Sequence, residues 1–120
     1  MIEEILYHYL QDNLTVPVMT EMPEVPSEDY PVWPDQFVTI EKVGGGKINQ
    51  IESASFAVQS HASTLFKAAS LDSQVRVAME KMSTLPQIGS AKLSSNYNHT
   101  DPTTKRYRYQ SVFDIYFNLG

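Results

Sequence analysis

The sequence predicts an α+β fold: a single domain spanning residues 1–120 in the order αβββαββ, with a mostly antiparallel sheet covered by helices. Three observations predict it. Apolar residues recur at helical spacing near residues 2–13 and 63–82, and β-rich runs with period-two alternation fill most of the rest. Neighbouring β-rich runs are joined by short glycine-rich or polar segments, which suit hairpins. A chain of this length buries roughly two-thirds of its unfolded surface, so one ordinary hydrophobic core is feasible.

Each element has its own justification. Ile2, Ile5, Leu6, Tyr9 and Leu10 form an amphipathic stripe, and Glu3 and Glu4 sit in the first turn, where they favour the positive end of the helix dipole. "LTVPVM" alternates as a strand does, but Pro17 cannot donate to a ladder and places it at a sheet edge. From Thr20 to Gln36 the chain carries Pro23, Pro26, Pro31 and Pro34 with five acids, which predicts an extended acidic arm. Tyr30, Trp33 and Asp35 in that arm are candidate interface residues, because a solvated linker seldom carries two large aromatics.

"FVTIEKV" and "IESASFAVQSHA" flank "GGGKINQ" and should pair as a hairpin with the glycines at a flexible tip, Ala54, Phe56 and Val58 pointing one way. Ser63 or Thr64 can cap a helix running to about Met82, with Ala68, Leu71, Val75, Ala78, Met79 and Met82 on one stripe. After "TLPQIG", Ala91, Leu93 and Tyr97 alternate with Lys92, Ser94 and Asn96 as a strand, and "HTDPTTK" turns the chain back. In the last strand Tyr107, Tyr109, Phe113, Ile115 and Phe117 share one side, with Arg106, Arg108 and Gln110 on the other. That register inserts the rings into the core.

Composition narrows the function. The chain has no cysteine, which removes disulfide scaffolds and thiol catalysis, and its first residues carry acid where a signal peptide carries base. No apolar run approaches the roughly 20 residues a bilayer requires, so no membrane partner is expected. The net charge of −5 hides an asymmetry: residues 1–41 hold nine acids and no Lys or Arg, and residues 42–120 hold nine basic against five acidic residues. Such a split is expected of a binding surface, of complementary subunits or, as often, of a plain solvated acidic face.

Glycines 44 to 46 before Lys47 superficially match a phosphate loop. Position 41 is Glu where that motif needs Gly, and Ile48 follows the lysine, so Lys47 is instead a candidate interface residue. His8, His61 and His99 show no ligand spacing, and there is no nucleophile motif. Neither an enzyme nor a metal or other cofactor is expected. "KRYRYQ" interleaves cations with rings, but a single-strand reader needs both on one exposed surface, and alternation separates them. Specific nucleic-acid binding is therefore not expected, and Arg106 and Arg108 are read as candidates for a protein interface.

"IEKVGGGKINQIESASFAVQSHASTLFKAASL" followed by "KLSSNYNHTDPTTKRYRYQSVFDIYF" resembles the tail terminator proteins of long-tailed phages and prophages of Gram-positive bacteria, over residues 37 to 117. The resemblance is most specific in "YN-T-TTK-YRYQ-VFDI", with Pro102 where the family more often carries Thr. It implies a small α/β subunit that forms a ring of six on the finished tail tube, ends its growth and joins it to the head connector, or stopper, protein. The implied location is the virion neck, after assembly in the host bacterial cytoplasm, with DNA able to pass through the ring. Other neck components, such as a head-closure or adaptor protein, and a small nucleic-acid-binding domain are the alternatives.

Overall fold

Among the described residues the elements follow the predicted order: α1 (Ile2–Asn13), β1 (Val18–Met19), β2 (Gln36–Ile48), β3 (Ile51–Ala62), α2 (Leu65–Glu80), a 3-10 turn (Met82–Thr84), β4 (Ile88–Asn98) and β5 (Tyr107–Phe117). The computed structural model describes residues 1–22, 34–100 and 106–119, so the arm predicted at 20–36 is described only at its two roots. The sheet order is β1-β2-β3-β5-β4, and every neighbouring pair is antiparallel except β1 with β2.

One face of this sheet carries the core. Ala54, Phe56 and Val58 of β3 stand opposite Ile115, Phe113 and Ser111 of β5, and Val38 and Ile40 of β2 extend the same layer. Ile2, Leu6 and Leu10 of α1 and Leu71, Val75 and Met79 of α2 close over it, joined by Met82. Each large apolar side chain buried in this way contributes on the order of 1.5–3 kcal/mol. Thr64 caps α2, its Oγ1 accepting from Lys67 N at 3.2 Å, and the Tyr9 hydroxyl donates to Ala78 O at 2.6 Å, tying α1 to the far end of α2.

A charged residue sits inside this layer. Asp72 of α2 is 1 % exposed; its Oδ1 accepts from Ser111 Oγ of β5 at 2.7 Å and its Oδ2 from Asn96 Nδ2 of β4 at 2.8 Å. Arg76, one helical turn on, approaches the same carboxylate at 3.2 Å. One side chain thus pins α2 to both strands of the last hairpin. A buried carboxylate is stable only with such a set of partners.

Four local features differ from the sequence reading. In β4 the register shift between Leu93 and Ser95 breaks the expected alternation, turning Tyr97 away from the core to Gln110 and Asn96 inward to Asp72. Gly44, Gly45 and Gly46 lie within β2, and the turn is made by Asn49 and Gln50 at φ of 50° and 66°. Left-handed values at both central residues match the twist of a two-residue hairpin. A Cβ on Gly45 would lie 2.9 Å from Ser53 O, so glycine is required there, just past the register shift between Lys42 and Gly44. Tyr107 has the expected direction but is 38 % exposed, because it pairs with Ala62 at the margin of the sheet, ahead of the part that α2 covers. Tyr109 is half-buried, lining a shallow hollow with Leu65, Phe66, Ala69 and Ser70.

Replacing Asp72 by Ala removes the acceptor of Ser111 Oγ, one of the two acceptors of Asn96 Nδ2 and the partner of Arg76, and is expected to cost about 2–3 kcal/mol in urea unfolding; an unchanged midpoint would show that the clamp carries no stability. Gln50→Gly relieves a left-handed residue with a side chain, and a gain of up to about 1 kcal/mol is expected in the same measurement.

Candidate functional site

The core packs against one face of the sheet; the other face brings together three of the candidate residues. Phe37, His61 and Arg108 occupy adjacent positions across β2, β3 and β5, at the end of the sheet where β2 and β5 begin. The Phe37 and His61 rings stack with centroids 4.5 Å apart and 4° between planes, and the Arg106 guanidinium lies 5.8 Å from the Phe37 centroid. Both rings are buried.

Arg106 also reaches the C-terminal root of the arm, donating to Pro34 O at 2.7 Å and Asp35 O at 3.1 Å. The Asp35 carboxylate accepts from Lys67 Nζ at 2.8 Å and from Ser63 Oγ, and its carbonyl accepts from Ser63 N at 3.2 Å. The hydrogen bond from Lys67, aided by that from Ser63, holds the Asp35 carboxyl below its ordinary value. Arg108 Nε donates to His99 O at 2.8 Å across the β4–β5 hairpin. Asp35, Arg106 and Arg108 therefore gather at one end, each with partners in its own chain. Lys47 stands elsewhere, exposed near the far tip of the β2–β3 hairpin and paired in register with Glu52. Tyr30 and Trp33 lie outside the described residues.

From His61 a polar row crosses the sheet. Its Nε2 lies 3.0 Å from Thr39 Oγ1, which donates to Gln59 Oε1 at 3.3 Å; Gln59 Nε2 donates to Gln110 Oε1 at 2.7 Å, and Gln110 Nε2 to Tyr97 Oη at 2.5 Å. Burial, with smaller repulsion from Arg108 and Arg106, lowers the His61 pKa to about 3. The imidazole is thus a neutral strut at physiological pH.

The sequence reading had passed over this row and Asp72. Position 72 shares the helical stripe of Ala68, Val75 and Met79, which is the signal that a carboxylate was being carried inward. For the row no local signal exists, because its members come from four strands. The described residues contain no group of three or more side chains able to hold a metal ion, and no helix among them is long and apolar enough to cross a membrane. No protein-family model and no curated protein matches the chain.

His61 supplies a pH test with a definite sign. Its folded pKa of about 3 lies below the unfolded 6.5, so its contribution is complete above 6.5 and falls as pH drops toward 3. Stability should decline by about 1.4 kcal/mol per pH unit in that window, and His61→Gln should flatten the slope between about pH 6 and 5, where carboxylates contribute little.

Proposed function

We propose that this chain is a structural subunit that assembles with copies of itself into a ring, caps a phage tail tube, ends its growth and joins it to the head connector. The ring of six and the neck location follow the resemblance of residues 37 to 117 to tail terminators. The observation that supports an assembling subunit is the placing of exposed apolar side chains at both ends of a 44 Å long molecule. Phe66, 89 % exposed, projects beside Leu65 at the start of α2, and Ile48, 76 % exposed, pairs with exposed Ile51 at the hairpin tip. Neither set is covered within the described residues. Grouped apolar residues of this kind mark contact surfaces more often than they decorate free monomers.

The mechanism is steric and electrostatic capping. The last ring of a growing tube offers a template; the terminator complements it on one face and presents a different face outward, so the next tube subunit finds no match. A closed ring joins one patch to a different patch on the neighbour, and the uneven charge along the chain suits such a contact. Clamping of both arginines and of Asp35 within the subunit keeps that end of the sheet rigid.

Light-scattering mass and negative-stain images, with and without tail tubes, test this directly. Rings at tube ends are expected; attachment to connector-filled heads lacking tails favours another neck component. Salt-dependent retention on DNA by a monomer would point to the nucleic-acid reading. Phe66→Asp, at a position that burial does not protect, should leave the unfolding midpoint nearly unchanged and weaken ring formation at least tenfold.

A further inference from the structure

On the ring reading above, we infer that neighbouring copies join edge to edge, β4 of one lying antiparallel against the distal half of β2 in the next. β1 covers only Val38 and Thr39, and among the described residues no strand pairs with the outer side of residues 40–48. β4 forms the opposite margin, 11 residues long and likewise without an outer strand partner among the described residues. A free edge is a row of backbone donors and acceptors, and its natural partner is another extended backbone. Isolated proteins keep such edges short, charged or covered. These two are long, and they expose Val43 and Ile48 on one side and Leu93 and Tyr97 on the other.

Strand direction identifies the occupant. β2, β3, β5 and β4 alternate, so β4 runs opposite to β2. A second copy set alongside in the same orientation therefore meets β4 with its β2 in antiparallel polarity, and the sheet continues across the boundary. Pairing β4 with β4 would instead create a two-fold contact and leave every β2 edge open. The head-to-tail contact satisfies both edges of every copy once the circle closes. Register shifts at Lys42/Gly44 in β2 and at Leu93/Ser95 in β4 add twist near the seam, and a joined sheet needs such twist to curve.

The absence of cysteine makes the test clean. Val43→Cys and Leu93→Cys variants, separately and mixed, are treated with a short bis-maleimide while mass is followed by light scattering, with and without tail tubes. Covalent dimers are expected from the mixture and not from either variant alone, and the double variant should give a ladder of larger species. A ring without the mixed product, with same-variant products only, or with crosslinks to the tube subunit only, overturns the edge pairing and leaves the ring reading standing. A monomer under all conditions, with no crosslink, overturns both.

Discussion

The packing of the α2 stripe against β3 and β5 governs the rest of the molecule. Phe56 and Phe113 face each other across the two central strands, and Leu71, Val75 and Met79 close over them. Because strand side chains alternate, sliding β5 by one residue would carry Phe113, Ile115 and Phe117 to the other face and forfeit the burial of all three. Their burial thereby decides where every polar residue of β5 goes. Arg106, Arg108 and Gln110 are assigned to the second face by the apolar residues beside them, not by any preference of their own.

That second face is handled differently. Where the core admits one polar clamp, at Asp72, this face organises its polar groups into a hydrogen-bonded row from His61 to Tyr97, backed by the Phe37 stack. Buried amides and hydroxyls are tolerable only when paired, and here each member satisfies the next. His61 stays neutral because burial and two nearby arginines oppose a further positive charge. The arginines themselves bind carbonyls of their own chain, Arg106 at the root of the arm and Arg108 across the hairpin. The alternation of cations and rings in "KRYRYQ" is thus a strand with two differently employed faces. The consequence is a second face held together by hydrogen bonds within the chain.

Much of the architecture was legible. Both helices, the inward faces of β3 and β5 and the cap at Thr64 could be read because each depends on a period within one segment: apolar residues at 3.6 or 2, and a hydroxyl just before the first turn. The glycine run was misplaced for a related reason. Glycine is a good turn signal, but Asn49 and Gln50 complete a two-residue turn, and the glycines lie in β2, where Gly45 lets the backbone approach Ser53 O. Tyr107 obeyed its alternation and still emerged, since alternation gives direction and not the extent of the covering helix.

The sequence by itself determined the order of elements and which side of α1, α2, β3 and β5 faces the apolar layer, because both follow from periods that neighbouring residues impose on one another; in β4 the register shift after Leu93 broke that period. Only the tertiary structure decided the clamp of Asp72 on Ser111 and Asn96, which lie 39 and 24 residues away, and the gathering of Asp35, Arg106 and Arg108 at one end of the sheet. These contacts join distant segments, and their geometry exists only after the strands have been set in register. Local spacing can say that a side chain points inward or outward; it carries no information about which remote partner will be waiting there.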